Sequence, residues 1–172
     1  MINWMFFPQT DKISSHLTGI IKAFQEKADD IDSEKHLDDK NLESNKVLEI
    51  LEPRLSKIGY NVERSKKAED KIKVPVLFGK NGKVELNFEV DAFSEEFSTV
   101  IEVEAGRAVC NYQFLKDFYE SCMMNNVDYF VVAVKNVYRG SNDFEKVCDF
   151  FRALYSSNRM TIPLKGILVI GY

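Results

Sequence analysis

The chain has 172 residues, which is enough for one domain with a substantial core and leaves little room for a second. Hydrophobic residues make up 45% of the sequence and charged residues 29%, proportions that exclude a disordered or fibrous protein. The net charge of -4 argues against a protein that coats nucleic acid through overall positive charge, although a local basic patch remains compatible with it.

The first part of the sequence predicts two helices separated by a polar segment. Apolar residues at helical spacing predict a first helix that ends near Lys27, and the charged stretch that follows it has no sustained period. A second helix begins at Ser44, and Pro53 within it predicts a kink or a break into two pieces. We therefore interpret residues 1–41 as an N-terminal helix and polar linker appended to a core of residues 42–172.

The remaining sequence predicts a mixed sheet. Three strands are expected in YNVERS, IKVPVLFG and KVELNFEVD, and the turn KNG joins the last two. After them, TVIEVEA, DYFVVAV and LKGILVIGY alternate with helices from Arg107 to Met124 and from Asp143 to Tyr155. Strands that alternate with helices form parallel sheet through right-handed crossovers. The predicted fold is α/β, with an antiparallel meander that feeds parallel strands and with flanking helices.

Two features of the sequence favour a cytoplasmic protein. The apolar start, MINWMFFPQTDK, is interrupted at Pro8 and is shorter than the apolar region of a signal peptide. The longest apolar runs, YFVVAV and GILVIGY, fall far below the roughly 20 residues that span a membrane. We expect no membrane segment.

Three carboxylates occupy positions where the interior of the sheet is expected. Asp91 ends the strand KVELNFEVD, and Glu102 and Glu104 share one face of TVIEVEA. A strand that enters a parallel crossover is normally covered on both faces, so burial would cost each carboxylate several kcal/mol without a cation or hydrogen-bond donors. An antiparallel hairpin through FSEEFS would bring Asp91 beside Glu102, where both could bind one divalent cation. The alternative is that the acids form the solvated face of a hairpin.

These acids carry a resemblance to a known family. The pattern of Asp91, ten intervening residues and Glu102-Val103-Glu104 on a strand that enters a helix resembles the PD-(D/E)xK nuclease superfamily, which has the restriction-endonuclease-like fold. The resemblance covers about residues 42–134. It implies that Asp91 and Glu102, with the main-chain carbonyl of Val103, bind Mg²⁺ or Mn²⁺. The third motif position is usually lysine; here it is Glu104, a variant found in some restriction enzymes, which implies that Glu104 orients or deprotonates water.

Further site residues follow from the resemblance, each with an alternative. In the absence of the motif lysine, Arg107 could supply the positive charge. The alternative is that Arg107 only covers part of the protein surface. Asn45, Glu49 and Glu52 form one stripe on the helix that precedes the strands. Members of the family often direct a glutamate or asparagine from this helix at the metal, so Asn45 and Glu49 are candidates. The alternative for them is a solvated helix surface.

The expected function is metal-dependent hydrolysis of nucleic-acid phosphodiester bonds, with DNA as the first candidate substrate. One alternative is a catalytically inactive module of the same fold that acts in binding or as a scaffold. Another is a structural protein whose acids are solvated. Because many members of the family act as dimers, the resemblance also allows a homodimer.

Overall fold

The computed structural model describes residues 1–32, 35, 42–65 and 67–172. It contains a six-stranded mixed sheet with helices on both faces and a separate two-stranded ribbon. The helices are α1 (Ser15–Glu26), α2 (Ala28–Ile31), α3 (Ser44–Lys57), α4 (Gln113–Met123) and α5 (Asp143–Ser157). The strands are β1 (Asn3–Phe7), β2 (Asn61–Val62), β3 (Ile72–Phe78), β4 (Val84–Val90), β5 (Ala92–Ser94), β6 (Thr99–Glu104), β7 (Tyr129–Val134) and β8 (Gly166–Gly171). None of the helices in the described ranges is long and apolar enough to cross a membrane.

The main sheet has the strand order β1-β8-β7-β6-β5-β2. The central strands β6, β7 and β8 are parallel, and α4 and α5 form the crossovers between them. β5 pairs antiparallel with β6 on one side, and β1 pairs antiparallel with β8 on the other. The prediction of an α/β fold with a mixed sheet is therefore confirmed, and the parallel strands form the centre of the sheet and not its edge.

The N-terminal residues form an edge strand that the sequence analysis missed. Every residue of β1 is paired with β8, and its last two residues, Phe6 and Phe7, are buried on opposite faces of the sheet. β1 and α1 therefore share a sheet and a core with the residues after 41. The predicted polar linker begins with α2, and its residues 33–34 and 36–41 lie outside the described residues.

The two faces of the main sheet are covered by different helices. α1 and α3 pack on the face that carries Ile101 and Val103, whereas α4 and α5 pack on the face that carries Val100. Because side chains alternate along a strand, Glu102 and Glu104 point to the same face as Val100. The two glutamates therefore lie on the side of the sheet that α4 covers.

Aromatic packing holds α4 on this face. The ring of Phe118 in α4 is buried and contacts Phe151 of α5 edge to face, with 5.4 Å between the ring centroids. It also packs against Phe130 of β7, at 6.3 Å. Since Asp117 is the neighbour of Phe118 in the helix, this packing keeps Asp117 close to the sheet as well.

Two helices differ from their predicted extents. α3 continues through Pro53 as a single helix, supported by an apolar face that packs on the sheet. α4 begins at Gln113 and not at Arg107, because the preceding loop contains Gly106 at φ 142° and Tyr112 at φ 54°, which are not helical conformations. Arg107 therefore lies in a loop and not one turn into a helix.

The predicted hairpin of β3 and β4 is present, but it forms a ribbon outside the main sheet. Its base packs on the protein through Val74 and Val90, which are buried. Its tip exposes Leu77 and Phe78. Asp91 lies where the chain passes from this ribbon into β5 of the main sheet.

Candidate functional site

The hairpin between β5 and β6 brings Asp91 beside the motif strand. Ala92 is paired with Ile101, so Asp91 lies next to Glu102 and Val103. The main-chain N–H of Val103 donates a hydrogen bond of 2.8 Å to Oδ2 of Asp91. The predicted hairpin through FSEEFS is therefore confirmed, together with the proximity of Asp91 and Glu102.

A fourth carboxyl group, that of Asp117 in α4, faces these acids. Its side chain is only 5% exposed, and its Oδ1 accepts a hydrogen bond of 3.0 Å from Nε2 of Gln113. Its Oδ2 is buried and has no hydrogen-bond partner among the described residues. The carboxyl group of Glu104 lies within hydrogen-bonding distance of Asp117. It can donate this hydrogen bond only when Glu104 carries a proton. We refer to Asp91, Glu102, Glu104 and Asp117 as the carboxyl cluster.

Burial raises the pKa of every member of the cluster, and repulsion between members adds to the rise for Asp91, Glu102 and Glu104. Burial, opposed by the hydrogen bond from the main chain, raises the pKa of Asp91 to about 7. Burial and the neighbouring Asp117 raise the pKa of Glu104 to about 8. Burial and the charge of Asp91 raise the pKa of Glu102 well above its ordinary value, and burial also raises that of Asp117. At neutral pH the cluster therefore requires protons or a cation.

Lys116 is the cation that lies at the mouth of the cluster. Its Nζ is 3.8 Å from Oδ1 of Asp117 and 3.0 Å from Oε2 of Glu120. Its charge opposes the rise in the pKa of both Glu102 and Glu104. The side chain is 58% exposed, so solvent screens much of this compensation.

A second lysine lies on the other side of the cluster, near Asp91. Nζ of Lys71 is 2.9 Å from both carboxylate oxygens of Glu63, and the N–H of Glu63 donates to the main-chain oxygen of Asp91. Lys71 also lies 3.6 Å from Glu89. Because Lys71 is already paired with two glutamates, little of its charge is left to neutralise the cluster.

The structure does not bring the other predicted site residues into the cluster. Asn45 and Glu49 lie on α3, which covers the opposite face of the sheet, and Glu49 is exposed and paired with Lys46 at 3.0 Å. Arg107 is exposed in the loop between β6 and α4 and forms no ion pair with a described residue.

Asp117, Lys116 and Gln113 were not among the predicted site residues. A signal was present, because Gln113, Lys116, Asp117 and Glu120 form a polar stripe at helical spacing. Such a stripe is typical of a solvated helix face. In the structure Asp117 instead faces the glutamates of β6. This orientation depends on how α4 packs, which the helix sequence alone does not show.

The donor set fits a hard divalent cation. Mg²⁺ and Mn²⁺ prefer carboxylate oxygens, and the buried carboxyl group of Asp117 can gain a donor from the other acids only when Glu104 is protonated. Within the described ranges, no three His, Cys, Asp or Glu side chains already converge as a metal site. Four repelling carboxyls would therefore have to move together to coordinate an ion, and the charge of the ion provides the reason for them to do so.

Comparisons of the chain with protein-family models, with curated proteins and with solved structures find no match. The functional assignment therefore depends on the chemistry of the carboxyl cluster.

Proposed function

We propose that the protein is a metal-dependent nuclease that hydrolyses phosphodiester bonds of nucleic acid, with DNA as the first substrate to test. The observation that carries this proposal is the burial of the Asp117 carboxyl group beside three further carboxyl groups, where the only donor among them for Asp117 is a protonated Glu104. A buried polar atom without a partner costs free energy, and a buried charge costs more. A divalent cation offsets both costs, because it supplies positive charge and binds the free oxygen.

The order of the acids along the chain supports membership of the PD-(D/E)xK superfamily as part of the same proposal. Asp91 precedes a hairpin, and Glu102-Val103-Glu104 follows on a parallel strand that leads into α4. Within the observed α/β class, this order of the acids favours the restriction-endonuclease-like fold.

Three side chains are assigned to the cation. Asp91, Glu102 and Asp117 would hold Mg²⁺ or Mn²⁺, and the main-chain carbonyl of Val103 is the further ligand implied by the family resemblance. When bound, a divalent cation polarises the scissile phosphate and lowers the pKa of water. Asp117 takes part because its free oxygen faces the other acids from the opposing helix.

The remaining charged side chains of the site handle the proton and the developing charge. The raised pKa of Glu104, about 8 without a cation, would fall when a divalent cation bound beside it, and the ionised carboxylate would then accept a proton from the attacking water. Lys116 lies at the mouth of the cluster, where it can offset negative charge on the phosphate. It takes the role that the sequence analysis considered for Arg107.

Cleavage assays with matched variants test the proposal. Supercoiled plasmid, single-stranded circular DNA and RNA are incubated with Mg²⁺ or Mn²⁺ and with wild type, Asp91→Asn, Glu102→Gln or Glu49→Gln. We expect wild type and Glu49→Gln to cleave at equal rates, because Glu49 lies on the opposite face of the sheet. Asp91→Asn and Glu102→Gln should lose on the order of 100-fold or more. Failure of wild type to cleave any of these substrates with either ion would refute the nuclease.

One observation favours the second candidate, an inactive binding or scaffold module of the same fold. The motif position of lysine is occupied by Glu104, and the nearby Lys116 is paired with Glu120. In such a module the cluster would hold a cation, and Lys116, held by Glu120, would not assist hydrolysis. Under this candidate, Mn²⁺ raises the melting temperature of wild type but no cleavage occurs.

A homodimer belongs to the same family-based proposal. The tip of the ribbon is the exposed apolar surface to examine first, since Leu77 and Phe78 are 55% and 50% exposed. Sedimentation equilibrium of wild type and of Phe78→Ser tests it. A monomer at all concentrations would remove the dimer from the proposal.

A further inference from the structure

A group of cationic side chains lies at the same end of the sheet as the carboxyl cluster. Arg107 lies in the loop that follows β6, and Lys135 and Arg139 lie in the loop that follows β7. Because β6 and β7 are parallel, both loops leave the sheet at the same edge. Ligands of α/β proteins characteristically bind outside the carboxyl ends of parallel strands. We call Arg107, Lys135 and Arg139 the cationic rim.

A tight turn holds part of this rim in place. Tyr138 and Ser141 exchange two main-chain hydrogen bonds of 2.8 Å, and the two residues between them, Arg139 and Gly140, have φ values of 49° and 80°. Two positive φ angles in succession are the pattern of a type I′ turn, which has little freedom. The hydroxyl of Ser141 also donates to Asp143 at the start of α5. Arg139 is thus presented at the tip of an anchored turn.

The ring of Tyr138 connects the cations to each other. The Cζ atom of Arg139 lies 5.3 Å from the centre of the ring, and Nζ of Lys135 lies 5.7 Å from it. Both distances fall within the range of cation–π attraction. Both positive groups therefore lie against the same ring.

Gly106 fixes the rim next to the carboxyl cluster. The ring of Tyr138 packs directly on Gly106, so closely that a Cβ atom there would lie 2.5 Å from the ring. Gly106 follows Glu104 by two residues, which span at most about 7 Å of chain. The ring of Tyr138, which carries two of the cations, is thus held against a short segment of chain that leads directly from Glu104.

We propose that the cationic rim binds the phosphate backbone of a nucleic-acid strand and holds it against the carboxyl cluster. The proposal deepens the proposed nuclease function and rests on it for the identity of the ligand. Four carboxyls repel a phosphodiester strand, so a substrate approaches them only where adjacent cations compensate. Arg107 and Arg139 are exposed and form no ion pair or hydrogen bond with described residues, which leaves both guanidinium groups open to phosphate oxygens.

An exposed aromatic residue supports a nucleic acid over other phosphate-bearing ligands. Tyr112 is on the same loop as Arg107 and is 66% exposed. It adopts a left-handed conformation at φ 54°, which non-glycine residues rarely do. Exposed aromatic rings beside arginine provide stacking surfaces for unpaired bases.

Salt-dependent binding to DNA tests the rim separately from cleavage. Anisotropy of a labelled single strand and of a duplex is measured in EDTA over a series of salt concentrations. The variant is the double substitution Arg107→Ala with Arg139→Ala. The control is Lys22→Ala with Lys57→Ala, which removes the same charge from exposed positions of α1 and α3 on the opposite side of the sheet.

Loss of two phosphate contacts has a defined signature. The slope of log K against log salt should become shallower by about 1.4 for the single strand and about 1.8 for the duplex. Affinity should fall by about 10-fold or more for the rim variant, whereas the control should match wild type. Tyr112→Ala should weaken single-strand binding more than duplex binding.

The outcomes distinguish the rim from the nuclease. If the rim variant keeps the slope of wild type, or if wild type binds neither DNA, the rim proposal is overturned, whatever the cleavage assay shows. If wild type binds through the rim but cleaves no substrate with Mg²⁺ or Mn²⁺, the rim is supported and the nuclease fails.

Discussion

Replacement of Glu104 by glutamine tests directly whether the buried carboxyl cluster lowers the stability of the folded protein. Burial and Asp117 raise the pKa of Glu104 from 4.5 to about 8 in the folded protein, whereas the unfolded chain keeps the ordinary value. Between these pH values the folded protein binds more protons than the unfolded chain. The free energy of unfolding must therefore fall as the pH rises from about 4.5 to about 8. Glutamine carries no charge at any pH, so the variant avoids this loss.

The magnitude follows from the same pKa values. The pKa of Glu104 rises by about 3.5, and each unit of pKa corresponds to about 1.36 kcal/mol. The upper limit for the loss of unfolding free energy is therefore about 5 kcal/mol. Two effects reduce it: Glu104 is partly exposed, and protonation of one carboxyl relieves the repulsion on the next. We expect Glu104→Gln to raise the free energy of unfolding by about 2–4 kcal/mol at about pH 9 and by less than about 1 kcal/mol at about pH 5.

Urea unfolding followed by circular dichroism in EDTA measures this difference. The matched control is Glu49→Gln, which makes the same substitution at a glutamate that is exposed and paired with Lys46. The control should track wild type at every pH. If Glu104→Gln and wild type differ by the same amount at about pH 5 and about pH 9, the carboxyl group of Glu104 is not penalised by burial, and the reasoning fails.

Three further predictions concern the cluster and its supports. At about pH 8, Mn²⁺ should raise the melting temperature of wild type by several degrees and that of Asp117→Asn by much less, as measured by thermal unfolding; equal shifts would exclude Asp117 as a ligand. Gly106→Ala should cost about 1–3 kcal/mol in urea unfolding, because its Cβ would clash with Tyr138 and its φ is 142°, whereas Gly82→Ala meets no atom within 4 Å and should cost less. Phe118→Ala should cost about 3–5 kcal/mol by the same method, since the ring is buried between helix and sheet; a smaller loss than that of Tyr119→Ala would contradict this packing.

Much of the fold could be predicted because its signals are local. The parallel strands are short apolar runs separated by helical periods, and the KNG turn joins two alternating segments. β1 was missed because NWMFF buries residues on both faces and so lacks alternation. The detachment of the ribbon from the main sheet could not be predicted either, since strand pairing across Asp91 is a matter of tertiary packing.

The same difference between local signals and tertiary packing explains which site residues could be predicted. The approach of Asp91 to Glu102 follows from hairpin geometry, which the sequence specifies. The placement of Asn45 and Glu49 depends on which face of the sheet α3 covers, and no periodicity in α3 encodes that choice. To predict Asp117 as a site residue, one would need to know both the handedness of the crossover and the rotation of α4 about its axis. Residues that a single element positions were predictable, and those that two packed elements position were not.

The alternative of solvated acids does not account for Asp117. A half-buried glutamate on a strand can reach water with its long side chain, whereas Asp117 has a short one that is 5% exposed beside the buried ring of Phe118. An apolar residue at position 117 would remove both the repulsion and the unpartnered oxygen, and it would stabilise the protein. A sequence that keeps a carboxylate there gives up stability at one place, which is typical of functional sites. Asp117, more than the motif itself, is therefore the residue on which the proposal of cation binding depends.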